Sequence, residues 1–133
     1  MRSFKSLNVL ILVFGIFFTG CAGRPQLVPR HNQVLTFNLP YDLTYLRVEE
    51  ALERIEGWEV EMTEKEKGVI VLRNINYSAF DDEDKRSATF WVKRVGPKET
   101  SVRLAPQSER VIGGGDLLRH VSDYIKRQKG LTA

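Results

Sequence analysis

Residues 35–62 read LTFNLPYDLTYLRVEEALERIEGWEVEM, and two periodicities within them decide the fold. Leu35, Phe37 and Leu39 alternate with Thr36 and Asn38, the two-residue period of a half-buried strand. Pro40 ends that run. The pattern then changes to helical steps, with Tyr41, Tyr45, Val48, Leu52 and Ile55 forming one apolar stripe. Arg47, Glu50, Glu53 and Arg54 fall largely off the stripe. Asp42 is the expected N-cap, and the helix is expected to run to about Glu56, with Gly57 at the left-handed position that closes it. Alternation then returns: Trp58, Val60 and Met62 on one face, Glu59, Glu61 and Thr63 on the other.

Downstream, Glu64-Lys65-Glu66-Lys67-Gly68 reads as a polar turn, and Val69 to Leu72 as the second arm of a hairpin. Tyr77 to Arg86 is an expected loop carrying the acidic run Asp81-Asp82-Glu83-Asp84. Thr89 to Val95 and Ser101 to Ala105 are two further strands around the turn Gly96-Pro97-Lys98-Glu99. Gly113-Gly114-Gly115 leads to Asp116, the expected cap of a last helix whose apolar side holds Leu117, Leu118, Val121, Tyr124 and Ile125. The order β-α-β-β-β-β-α predicts an α+β domain over residues 34–133. It has two layers, a mostly antiparallel sheet of about five strands with two helices on one face.

Upstream, the chain changes character. Met1 to Ser6 is short and cationic through Arg2 and Lys5, and Leu7 to Phe18 is apolar apart from Asn8 and Gly15. A membrane-spanning helix needs about 20 apolar residues, so this run matches the core of a signal peptide instead. Phe18-Thr19-Gly20-Cys21 resembles the lipobox of bacterial lipoproteins, although leucine is usual where Phe18 stands. The resemblance implies cleavage between Gly20 and Cys21 by the type II signal peptidase and a diacylglyceryl group on the Cys21 thiol, with the new amine acylated. Residues 1–20 are then the signal, and residues 21–33, with Pro25 and Pro29, a lipidated tether. Two or three acyl chains hold firmly to a bilayer where one does not. Ala22, rather than Asp, resembles the sorting signal for an outer-membrane destination facing the periplasm. Cys21 is also the single cysteine of the chain, so no internal disulfide can form.

The elements from Asn38-Leu39-Pro40-Tyr41-Asp42 through Gly57-Trp58-Glu59-Val60 to Gly68-Val69-Ile70 are similar in order to the helix-grip domains of the C lipoprotein of the outer-membrane β-barrel assembly machine. That resemblance implies a non-enzymatic module of the cell envelope and carries no functional residue with it.

Charge narrows the function classes further. The formal +3 falls to +1 once Arg2 and Lys5 of the signal are removed, which is no footprint for nucleic acid. His31 and His120 are the only histidines and have no cysteine or histidine at ligand spacing, so neither a metal nor another cofactor is expected. The acidic run lacks the alternating oxygens and central glycine of a calcium loop, and Lys85 and Arg86 follow it. The triple glycine lacks the Gly-Lys-Ser/Thr ending of a phosphate loop and reads as a flexible connector. No serine sits in a nucleophile elbow, so no catalytic set is expected.

Alternation places Trp91 and Val95 on the face opposite Phe90 and Val92, a candidate partner patch on an open sheet face. These readings together suggest a membrane-anchored, non-catalytic protein-interaction or structural module with an envelope protein partner. One alternative is a carrier of a lipid or small apolar ligand in a cavity lined by residues such as Phe37, Leu52, Trp58 and Phe90. The other is a hydrolytic enzyme without a recognisable motif.

Overall fold

A five-stranded antiparallel sheet carries two helices on one face, as the alternations and stripes predict. The computed structural model describes residues 29–131, without the side chains at 83 and 84. The signal, Gly20 and Cys21 lie outside the described residues. In chain order the elements are β1 (Leu35–Phe37), α1 (Tyr41–Glu53), β2 (Trp58–Glu64), β3 (Val69–Asn74), the single-turn α2 (Glu83–Arg86), β4 (Ser87–Gly96), β5 (Glu99–Leu104), a 3-10 turn (Pro106–Ser108) and α3 (Gly114–Leu131). The strands lie side by side as β1-β5-β4-β3-β2. None of the described helices is long and apolar enough to cross a membrane.

The core forms between the sheet and both helices. Ile70 and Leu72 of β3, Phe90 and Val92 of β4, and Val102 and Leu104 of β5 are buried. They meet Tyr45, Val48 and Leu52 of α1 and Leu118, Val121 and Ile125 of α3. Ile55, at the end of the predicted stripe, lies beyond the helix and is only partly buried against the core. Helix α1 begins two residues earlier than an Asp42 cap would set. Pro40 holds the cap position with extended backbone, and both the amide and the hydroxyl of Thr44 donate to its carbonyl at 3.0 Å. Proline there leaves no backbone donor unsatisfied. Asp42 instead lies in the first turn, where its carboxylate faces the positive end of the helix and pairs with Lys65 at 2.9 Å.

Strand β2 departs from strict alternation. Its register against β3 pairs Val60 with Leu72 and then Met62 with Val71, so Glu61 is the extra residue of a β-bulge. Cross-strand partners point the same way, so Met62 turns to the outer face with Val71. Thr63 comes over to the helix side with the buried Ile70. The expectation that Met62 continues the Trp58–Val60 face is corrected by that one residue, since a single-residue slip flips every side chain beyond it. A bulge on the outermost strand, with Glu59 and Glu64 beside it, also makes that edge a poor template for pairing with another chain.

At the opposite edge the incoming chain is fastened rather than loose. The His31 amide donates to the Glu109 carbonyl at 2.6 Å, and the Arg30 guanidinium pairs with the Glu109 carboxylate. The imidazole of His31 lies on the start of α3. A Cβ on Gly114 would come within 2.9 Å of His31 Cδ2 and one on Gly115 within 3.0 Å of Cε1. These two glycines are a packing surface for His31, not the flexible connector expected from their spacing. Helix α3 accordingly starts at Gly114, and Asp116 sits in its first turn, paired with Arg119 at 2.5 Å, rather than at the cap.

Candidate functional site

Leu43 and Leu46 of α1 lie three residues apart, one turn along the helix and off the buried stripe, and both stay exposed, Leu46 at 49%. With Asp42, Tyr45 and Glu49 of α1, and Thr63 and Lys65 from the β2 end of the hairpin, they line a hollow of about 480 Å³. Such a volume suits a small organic ligand, and its leucine-lined floor suits an apolar one. The Glu61 bulge shapes the wall, because it brings the short Thr63 to this side where alternation would put the longer Met62 or Glu64.

Tyr45 forms the inner end of the hollow. Burial, with the nearby Glu49 carboxylate adding to it, pushes its phenol up to about 12. The hydroxyl therefore stays protonated at neutral pH and donates to the Val69 carbonyl at 3.0 Å. At the rim, the hydrogen bond from Lys65 holds the Asp42 carboxyl below the usual carboxylate range and raises the Lys65 ammonium in turn. The Tyr41 hydroxyl, raised chiefly by burial, donates to the Lys65 carbonyl, and the Arg94 guanidinium lies 5.4 Å from the Tyr41 ring. These contacts tie the hairpin end to the first turn of α1 and fix the mouth of the hollow.

The site residues expected from sequence fall elsewhere. Trp91 lies on the sheet face away from the helices, as its alternation with Phe90 and Val92 requires. It is half-buried there, with Lys93 Nζ 5.1 Å and Arg103 Cζ 5.9 Å from its ring. Val95 is exposed and sits at a register shift between Arg94 and Gly96. The cavity expected between helix and sheet is corrected as well. Leu52 and Phe90 have no accessible surface, so no water-sized void adjoins them, and Phe37 is packed in the same core. The apolar hollow lies on the flank of α1 instead. Its signal in the sequence was the pair Leu43 and Leu46, apolar residues off the buried stripe. Thr63 gave none, because a bulge is not written in alternation.

Among the described residues no group of three or more His, Cys, Asp or Glu is placed to hold a metal ion. His31 packs on glycines, and the buried Nε2 of His120 has no hydrogen-bond partner among the described residues. Of the acidic run, Asp81 accepts from the Ser78 amide at 2.7 Å and from its hydroxyl at 3.1 Å, while Asp82 pairs with Lys85 at 3.5 Å.

No family model and no curated protein matches the chain. Among solved structures it is similar to the ZhuI aromatase/cyclase from Streptomyces sp. R1128, at 13% sequence identity and a TM-score of 0.32, over 74% of this chain and 84% of that one. At that score the likeness brings neither activity nor substrate with it. The expectation of a non-catalytic protein-interaction or structural module is nevertheless corrected. The apolar concavity found here flanks a helix instead of lying on the open sheet face, and its exposed leucines beside a charged rim suit a small ligand.

Proposed function

We propose that this chain carries a small apolar or amphipathic ligand at a cell-envelope membrane, to which lipid on Cys21 holds it. The observation that carries the reading is the hollow between α1 and the end of β2. It joins exposed Leu43 and Leu46 to a rim that holds both charges, Asp42 and Glu49 against Lys65. An apolar body would displace water from the leucines, at about 25 cal/mol for each Å² removed from it. A polar head would meet the rim. Tethering in place of secretion would keep such a carrier next to the bilayer that supplies or receives its cargo.

The test is a fluorescence titration with the neutral apolar probe N-phenyl-1-naphthylamine, followed by competition with palmitate. Saturable enhancement is expected with the unmodified domain. Replacing both leucines, Leu43→Glu with Leu46→Glu, should abolish it while leaving the far-ultraviolet circular dichroism unchanged, because both side chains are already exposed. A probe that shows no saturation, or that binds the double variant equally well, rules the carrier reading out.

A further inference from the structure

On the opposite side of the sheet, under residues 77–79, lies a cleft of about 390 Å³ that the ligand hollow does not share. Arg73 and Ser87 are cross-strand partners on β3 and β4 and form its floor. The Glu61 bulge stands at one side and Arg86, the last residue of α2, at the other, while Tyr77, Ser78 and Ala79 close over it.

The two guanidinium groups differ in their state. Arg73 is already paired, its Nη2 2.6 Å from Glu59 Oε2. Arg86 makes no ion pair with any described residue, and its Nε is buried without a hydrogen-bond partner. A guanidinium cannot shed its proton to escape this, so the buried Nε–H is an unmet donor on a permanent cation at the cleft. The neighbouring Glu61 makes no ion pair with it among the described residues.

We propose that this cleft binds a small organic carboxylate, with Arg86 as its counter-ion and Tyr77 and Ala79 against its apolar body. The fork of an arginine matches a planar carboxylate in two parallel hydrogen bonds. One cation without an ion pair among the described residues suits one negative charge. A phosphate dianion would set its second charge against Glu61 and against Glu59, which already holds Arg73. The proposal does not depend on the apolar hollow, and either can fail alone.

The experiment is a two-dimensional amide NMR titration of the isotope-labelled domain with sodium benzoate, with neutral benzyl alcohol and inorganic phosphate as comparators. Benzoate should move the signals of Tyr77, Ser78 and Ser87 and the Nε–H of Arg86 saturably, with benzyl alcohol and phosphate weaker. Arg86→Met should weaken benzoate by about tenfold or more, whereas Lys98→Met, at an exposed turn position, should not change it. If Arg86→Met does not fold, the comparison of benzoate with benzyl alcohol on the unaltered domain still decides, since only a charge-paired site separates them. Equal affinity for those two, equal benzoate affinity in Arg86→Met, no saturation, or tighter binding of phosphate would each overturn the proposal.

Discussion

Gly68 closes the β2–β3 hairpin next to both β4 and the mouth of the apolar hollow, and its replacement by alanine gives a quantity that can be worked out in two parts. Its φ is +67°, a left-handed conformation that costs an L-residue about 1–2 kcal/mol. The second part is steric. A Cβ at this position would stand 2.0 Å from the Val92 carbonyl oxygen and 3.0 Å from the Tyr41 hydroxyl. The first of these is backbone, held by the Val92 amide donating to the Gly68 carbonyl at 2.8 Å, so the strand itself must shift. Forced overpacking of this kind costs about 1–3 kcal/mol. Together Gly68→Ala should cost about 2–5 kcal/mol. Gly113 provides the control: its φ is +81°, but a Cβ there meets nothing within 4 Å, so Gly113→Ala carries the conformational part alone. In a domain of this size each kcal/mol lowers the melting temperature by about 4–8 °C. Thermal unfolding followed by circular dichroism should therefore place Gly68→Ala at least about 4 °C below Gly113→Ala, and both below the parent. Melting temperatures of the two variants within about 2 °C of each other would refute the steric argument. They would mean that the hairpin gives way at no cost.

Two further outcomes follow, one from the structure and one from the lipobox resemblance at Cys21. The hydrogen bond from Arg30, with the Arg103 guanidinium 3.1 Å away, holds the nearly buried Glu109 carboxyl below the usual carboxylate range. A lowered native value adds stability above the unfolded carboxylate range, and that stability is lost as pH falls through the native value. The melting-temperature advantage of the parent over Glu109→Gln should accordingly be full at pH 7 and shrink on acidification below about pH 4.5, and a gap independent of pH would show that the pair contributes nothing through ionisation. At the N-terminus, Cys21→Ser should leave an unprocessed chain and release the domain from carbonate-washed membranes, and unchanged processing and membrane association would remove the lipid anchor from the proposed function.

Local patterns carried most of the fold in readable form. The Tyr45–Val48–Leu52 stripe, the Phe90–Val92 and Val102–Leu104 alternations and the second stripe on α3 all rest on contacts that recur at a fixed period. What escaped was set by contacts distant in sequence or by single irregular residues. Gly114 and Gly115 look like a flexible linker until His31, more than eighty residues earlier, is placed against them. Asp42 and Asp116 carry the chemistry of helix caps, yet each lies in a first turn because Pro40 and Gly113 take the position before the helix. The one-turn α2 has no apolar period by which to declare itself. Of the candidate sites, Leu43 and Leu46 were visible as unexplained leucines. Arg86 was visible only as a cation after an acidic run, and its lack of an ion pair among the described residues is a property of the packed chain alone.

The two sites share one cause and one place. Glu61 is the extra residue of the β2 bulge: its own side chain borders the carboxylate cleft on the open face, and the reversal it imposes brings Thr63 into the wall of the apolar hollow on the helix face. Both sites thus belong to the β2–β3 half of the sheet, whereas the incoming chain is fastened through Arg30 and His31 beside β1. Four strand spacings separate β1 from β2, about 19 Å at the usual 4.7–4.9 Å per step. If lipid on Cys21 holds the chain at a bilayer, as proposed, the pull of the tether falls on the Arg30–Glu109–Arg103 cluster and on His31 against α3. Among the described residues, the edge bearing the sites has no part in that fastening. The division also accounts for where the sequence departs from simple alternation. The fastened edge holds the close-packed glycines, and the other edge holds the bulge, the exposed leucines and Arg86, which has no ion pair among the described residues.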